Sequence, residues 1–498
     1  MSIPLFVIGF SMIWILMLAS LVPIKFVYIF GAICFALLLL SLTSKRTREN
    51  VTVPVVLATV VLSCALFSLK YNFDYLPTVS HVGEICEIKG TVTEVESKSD
   101  SGSNRYIVKV KEGPLKGHKL RLSSKYSTCD LYDEISFKGK VYLLDYKSKG
   151  VYVGAYPTGD IEIESFDGKT FDIGTYVENE LKCFLPSDYA LVLKGMLIGD
   201  KSNLPDDIYE KFQKVGIVHL LAVSGFHTSL WSMIIYRALL KNGISRKFSA
   251  GLCIVFIIFF LGLTGFSKST IRASLMLIIF FGGRMTKRQN DSKNSLGLAA
   301  IIVLLINPFA GADVGFLLSF FATLGILTLS PSMQKYARAK LKKWIKNYEV
   351  RQKVESLVTV VFVSISAFAF TLPIIMLFIG ELSLVSPLSN LLTTTLAGDA
   401  ILLSGIAIVL SKIPILSTFE NPLLLLSGLI VKYTLFMSDL LLKIPFCSVD
   451  ISENFMVVTI SAIMILIGSS FILNADKRKT AILSTLILTA SIITHYLV

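Results

Sequence analysis

The amino-acid sequence predicts an α-helical polytopic membrane protein of about 11–13 transmembrane helices, carrying one small extracytoplasmic OB-like β-barrel. Three observations predict it. First, apolar stretches near bilayer length recur through all 498 residues, and the chain is 53% hydrophobic, 17% charged, with a mean hydropathy of +0.68. Second, residues 84–166 interrupt that pattern with short strand-like alternation. Third, the short loops at 45–48, 241–247, 284–293, 335–353 and 477–479 are basic, and their summed net charge exceeds the +13 of the whole chain. The positive-inside rule explains that distribution without any nucleic acid.

Residues 1–70 hold the first expected spans, 3–22, 26–42 and 51–69. The first has no basic residue before it and no small-residue cleavage site, so it reads as a retained helix and not a signal peptide. With the 45–48 loop inside, the N-terminus is cytoplasmic and residues 71–175 lie outside the inner (cell) membrane. Strands are expected near 84–96, 106–111, 119–122, 134–144, 151–156 and 161–165, separated by turns such as Gly113-Pro114. Cys86 and Cys129 both fall in this domain, on the oxidising side, where a disulfide would staple a small core; two buried thiols are the alternative. Arg105, Lys109, Lys111, Lys116, Lys119, Arg121 and Lys125 stand against Glu112 alone, with Tyr106 and Tyr126 as possible stacking rings. That composition suits single-stranded nucleic acid, and a solvated strand face accounts for it too.

Residues 176–216 read as amphipathic surface helices. One follows Ser187; the other opens at Pro205-Asp206-Asp207, sets Ile208, Phe212 and Val215 on one side, and stops at Gly216. Residues 217–498 then supply the main transmembrane domain, with runs near 217–240, 248–265, 270–283, 295–306, 314–330, 354–379, 384–411, 420–443, 455–473 and 480–498. Between two of these, Ala337, Leu341, Trp344, Ile345 and Tyr348 form an apolar stripe in the basic stretch 335–353, read as an interfacial helix held by anionic membrane lipid.

Polar groups within apolar spans are costly and mark function. The densest set is His219-Leu-Leu-Ala-Val-Ser224-Gly225-Phe-His227. On a straight helix the two histidines are about 12 Å apart, too far for one metal, and a break at Ser224-Gly225 brings them nearer. Two histidines bonding neighbouring helices is the plainer reading. An intramembrane serine protease needs an activating histidine on a later span, where only His495 stands, while His227 shares the helix of Ser224. With five histidines in all, no clustered motif for a two-metal nuclease exists, and Gly168-Lys169-Thr170 lacks the first glycine of a phosphate loop because position 163 is isoleucine. Neither a cofactor nor an enzymatic activity is therefore expected. Lys268 and Arg272, one turn apart, offer two cations to a phosphate backbone or snorkel to headgroups, while Asp399, Lys432 and Asp439 are expected to pair with one another.

The stretch from His219 to His227 resembles the hallmark of the ComEC family of competence proteins. So do Gly195-Met-Leu-Ile-Gly-Asp200, Leu263-Thr-Gly265, Ser269-Thr-Ile-Arg272-Ala-Ser, Asn307-Pro308 with Asp313-Val-Gly-Phe316-Leu-Leu-Ser319-Phe, and Ser386-Pro387-Leu-Ser-Asn390. The resemblance covers roughly residues 187–400. It implies a membrane channel that passes single-stranded DNA into the cytoplasm during natural transformation, with Asp200, His219, Ser224, His227, Arg272 and Asn390 lining or shaping the route. The outer barrel would receive the DNA from a separate receptor or pilus system. Many members carry a C-terminal metallo-β-lactamase-like domain, which these 498 residues lack, so a separate nuclease and a helicase-type cytoplasmic motor are expected as partners. A multi-pass transporter or scaffold for another envelope-linked cargo is the alternative.

Overall fold

A computed structural model of the chain describes residues 5–43, 52–97, 104–124, 129, 132–144, 150–164, 173–201, 203–223, 225–265, 268–286, 291–413, 415, 417–445 and 447–450. Three helices come first: α1 (Leu5–Leu21), α2 (Ile24–Thr43) and α3 (Thr52–Lys70), the last running on through a π-turn, Tyr71–Tyr75, into the short α4 (Leu76–Val79). A barrel follows: β1 (Ile85–Ser97), β2 (Asn104–Glu112), β3 (Lys119–Ser124), β4 (Glu134–Leu143), β5 (Val151–Pro157) and a short β6 (Glu162–Glu164). Then come α5 (Ile173–Lys182), α6 (Ser187–Ile198), α7 (Asp206–Val215), α8 (Gly225–Lys241), α9 (Arg246–Leu263), α10 (Lys268–Met285) and α11 (Ser292–Ile306). The rest is α12 (Val314–Trp344), α13 (Tyr348–Phe378), α14 (Ser386–Leu410) and α15 (Glu420–Leu442), with a two-stranded ribbon of β7 (Glu381–Ser383) and β8 (Ser448–Asp450).

Among the described residues, seven helices are long and apolar enough to cross a membrane, and α1 and α11 are shorter apolar helices. The protein is thus a multi-pass membrane protein of mainly helical architecture with a small β-barrel. The expected spans 455–473 and 480–498 lie outside the described residues.

The helices build two cores. In the first, α1 crosses α11 at Gly9 and Gly297, so closely that a Cβ on either glycine would strike the other helix's backbone; small residues permit such crossings where lipid gives helices little drive to associate. Phe10 stacks there on Phe320 of α12, with ring centroids 6.4 Å apart. The second core joins the segments after the barrel to the late helices: Leu193, Met196, Phe212, Leu221, Ala397, Ile401, Leu424 and Val431 are all buried in it.

Two expectations about helices are corrected. α6 is not a surface helix: its residues from Ala190 to Leu197 are all buried, because Ala-Leu-Val-Leu and Met-Leu-Ile leave almost no polar face. α7 keeps the expected amphipathic form, burying Ile208, Phe212 and Val215. The basic stretch 335–353 is no separate interfacial helix. Strong helix formers follow Pro331, so α12 continues for 31 residues, about 46 Å against about 30 Å of hydrocarbon. The chain turns at 345–347, Asn347 caps α13, and Trp344 stands 77% exposed beside the turn.

The barrel closes. β1 pairs with β2 through its second half and with β4 through its first, and the sheet runs β1-β2-β3-β5-β4 back to β1, with β3 and β5 parallel. Ile88, Val92, Val108, Leu122 and Val153 fill it. An aromatic seam fastens it to the bundle: Tyr152 of β5 lies 5.3 Å from Tyr75 and 5.6 Å from Phe309, centroid to centroid. Burial first, and the nearby Asp74 carboxylate second, push the Tyr152 phenol well above its usual range.

Candidate functional site

The segment after α7 sets the centre of the site. Gly216 adopts φ +80° and ends the helix, and the chain then makes a single 3-10 turn, Val218–Leu221, before becoming extended at Ala222. α8 starts only at Gly225, so the two histidines do not share a helix. His227 is buried, at 1% exposure. His219 lies beside the Gly216 backbone and is exposed. Ser224 lies outside the described residues.

Segments of two helices far away in sequence, α10 and α14, converge on this turn. Ser389 Oγ donates to the Val215 carbonyl at 2.7 Å, and Ser386 Oγ to the Gly216 carbonyl at 3.4 Å. Thr270 Oγ1 donates to the Val223 carbonyl at 3.3 Å. Gly225 sits where a Cβ would come within 3.1 Å of Ala273 Cβ, and the Phe226 ring fills the space over Gly398. Hydroxyls thus satisfy the carbonyls that an interrupted helix leaves without intrahelical donors.

Arg272 is not an open cation. It is 2% exposed, donates to the Phe316 carbonyl at 3.1 Å and lies 5.6 Å from the Phe316 ring. Asp313 caps the same helix end by accepting from the Phe316 N–H at 2.9 Å. Arg272 therefore ties α10 to the start of α12, and the expected pair of cations on one open face is corrected in its case; Lys268 opens α10. Asn390 is half-buried and its hydrogen bonds, to Ser386 and Thr394, stay on its own helix among the described residues.

Asp200 is likewise engaged. Lys194, 2% exposed in its side chain, reaches Asp200 at 2.9 Å and Glu178 at 2.7 Å. Burial pushes the Glu178 carboxyl up, but the hydrogen bonds from Lys182 and Lys194 outweigh it and hold it below the usual carboxylate range. This buried bridge was invisible in the sequence because Glu178 and Lys194 sit on different short helices. Nor do Asp399, Lys432 and Asp439 form a mutual set: Asp439 pairs with Lys211 at 3.2 Å, and Asp399 and Lys432 are exposed.

On the barrel, antiparallel pairing sets Lys109 opposite Lys119, Arg105 opposite Ser123 and Ile107 opposite Arg121. Arg105, Lys109, Lys111 and Lys119 are exposed and Arg121 half-buried, so the alternation places these cations on one outward face. Lys111 pairs with Glu134, whose carboxyl that ammonium holds low. Lys125 and Tyr126 lie outside the described residues. Tyr106 is no stacking ring; it is fully buried, its hydroxyl accepting from the Cys129 N–H at 3.1 Å. The aromatic pair on the outward face is one that sequence reading missed: Tyr142 and Tyr156, stacked at 4.3 Å, the first lying over Gly154 and bonded to Ser123 at 3.1 Å. Tyr142 and Tyr156 belong to the paired strands β4 and β5, and the parallel β3–β5 pairing sets them beside the cations of β3.

Cys86 and Cys129 are both buried in the barrel core and are not bonded to each other. Cys86 pairs with Gly139 at the start of β1, whereas Cys129 meets the Tyr106 hydroxyl, and Tyr106 pairs with Val95. That interval of strand is on the order of 20–30 Å, against the roughly 7 Å between Cα atoms that a disulfide spans at most.

Comparison with known proteins places these segments in context. The chain is 27% identical over 249 residues to ComE operon protein 3 of Bacillus subtilis (strain 168), covering 50% of this chain and 30% of that protein. An uncharacterized protein of Aquifex aeolicus (strain VF5) is 30% identical over 273 residues, 54% of this chain and 59% of that one. An uncharacterized protein of Mycoplasma pneumoniae is 30% identical over 130 residues, 26% of this chain and 33% of its own length. In each case the match spans less than two thirds of the relative. No solved structure matches the chain. The family model described as "Competence protein" matches residues 196–477, which hold the turn at His219, Arg272 with Phe316, and Ser386 with Ser389; the chain belongs to the competence protein family.

Proposed function

We propose that this protein is a membrane channel through which one strand of DNA passes into the cytoplasm during natural transformation. The observation that carries the reading is His219: an exposed histidine at the turn where the segments of the family match converge. The strand arrives at the outward barrel face, where Arg105, Lys109, Lys119 and Arg121 neutralise phosphates and the Tyr142–Tyr156 pair offers a stacking platform. It then moves past the turn at 215–223, which presents polar rather than charged groups, since Arg272 and Asp200 are already engaged. Weak, repeated contacts suit passage, because a polyanion held too tightly does not leave. The barrel faces outward from the membrane and the basic loops face inward, in accord with the charge bias of the loops. Membrane lipid surrounds the bundle, a separate receptor or pilus system delivers the DNA, and a separate nuclease and helicase-type motor degrade one strand and draw in the other.

A clean deletion in the source organism tests this directly. Internalisation of labelled DNA is expected to fall to background while surface binding persists, and reintroducing the gene restores it. Normal internalisation combined with an envelope defect would overturn the reading in favour of another cargo.

A further inference from the structure

At the joint where α4 hands the chain to β1, three donor atoms come together. The His81 imidazole, the Glu84 carboxylate and the Cys86 thiol offer one ligand atom each, all within 4.8 Å of one another, and His81 Nδ1 lies 2.8 Å from Glu84 Oε2. The backbone beneath them is fixed. Gly83, at φ +94°, permits the tight reversal; its N–H donates to the Val141 carbonyl at 2.9 Å, and the Val141 N–H donates to the Glu84 carbonyl at 3.0 Å. The Glu84 N–H closes the turn on the His81 carbonyl at 3.2 Å. Cys86 is buried at the rim of the barrel core, His81 is half-buried and Glu84 is exposed, so the cluster opens to solvent on one side.

A hydrogen bond joins His81 and Glu84, and the Cys86 thiol, at the rim of the barrel core, lies within ligand distance of both. One imidazole, one thiolate and one carboxylate form the donor set of a borderline cation such as Zn2+, whereas Ca2+ and Mg2+ take oxygen ligands. We propose that His81, Glu84 and Cys86 bind a zinc-class divalent cation at the outer base of the barrel, with water in the open fourth position. On binding, the Cys86 thiol releases its proton to solvent, neutral His81 ligates through Nδ1 in place of its bond to Glu84, and the Glu84 carboxylate completes the set. The ion would stiffen the joint between the membrane helix and the barrel. This site is independent of the transport reading.

The test uses full-length protein in detergent, stripped with a chelator and kept reduced, titrated with Zn2+ by calorimetry and with Co2+ by absorption. One equivalent is expected to bind, with a thiolate-to-cobalt charge-transfer band in the near ultraviolet. Cys86→Ser should abolish the band, and His81→Gln, a surface change that leaves the core intact, should weaken Zn2+ binding at least about tenfold. An unchanged circular dichroism spectrum confirms folding, and His81→Gln carries the test if Cys86→Ser unfolds. Wild-type protein that takes up no stoichiometric Zn2+, a folded His81→Gln that binds as tightly as wild type, or Cys86 found in a disulfide by mass mapping would each overturn the proposal.

Discussion

At the scale of single residues, the protein settles buried charges by pairing them. Lys194 is held between Glu178 and Asp200, and removing one member of such a set leaves uncompensated charge behind. Lys194→Ala is expected to cost about 3 kcal/mol, the low end for a buried pair because the Asp200 side chain is 32% exposed; thermal unfolding in detergent measures it. The same bridge gives a pH dependence. Glu178 titrates below its ordinary value of 4.5 in the folded protein, so its contribution is complete above that pH and is lost as pH falls through the lower folded value. The melting temperature is expected to drop below about pH 4.5, and Lys194→Ala should flatten the drop. A decline of the same steepness in both proteins would remove Glu178 as its source. Arg272 shows why a residue type in a motif does not announce its role. Its position suited a phosphate contact, and only the fold reveals the Phe316 carbonyl that occupies it.

At the scale of elements, period-2 alternation identified the barrel strands, and apolar run length identified the spans from α1 to α15. Both signals are local. What stayed hidden depends on neighbours supplied by tertiary structure. α6 was read as a surface helix because twelve residues cannot span a bilayer, and its burial comes from α14 and α15, about 200 residues further on. The Tyr142–Tyr156 pair stands beside the cations of β3 only because β5 pairs in parallel with β3. Two predictions belong here. In Lys109→Ala/Lys119→Ala, full-length protein in nanodiscs should bind single-stranded oligonucleotide with a log K against log salt slope shallower by about 1.4, since each lost phosphate contact removes about 0.7; an unchanged slope would take these cations out of the binding face. Tyr152→Ala empties the aromatic seam between Tyr75 and Phe309, at about 3–5 kcal/mol for a large aromatic. Limited proteolysis should then cut the joint near residues 79–84 while the bundle stays intact. Equal protease resistance would show that the barrel is held by something else.

At the scale of the whole molecule, the chain brings its start and its late helices together. α1 packs on α11 and α12, and the segments after the barrel pack on α14 and α15, so the barrel is inserted between two parts of one bundle and docked back onto it. The polar segments that meet at the candidate site were each legible in the sequence. Their meeting point was not, because the hydrogen bonds from Ser389, Ser386 and Thr270 to the turn at 215–223 join positions 47 to 174 residues apart. The central claim is that the exposed His219 faces the aqueous route of the strand. In a background freed of the seven native cysteines, His219→Cys and His227→Cys are exposed separately, in intact cells, to a membrane-impermeant maleimide. Labelling at position 219 with protection at position 227, which is 1% exposed, is the expected result; a residue 219 that resists the reagent as fully as residue 227 would contradict the account.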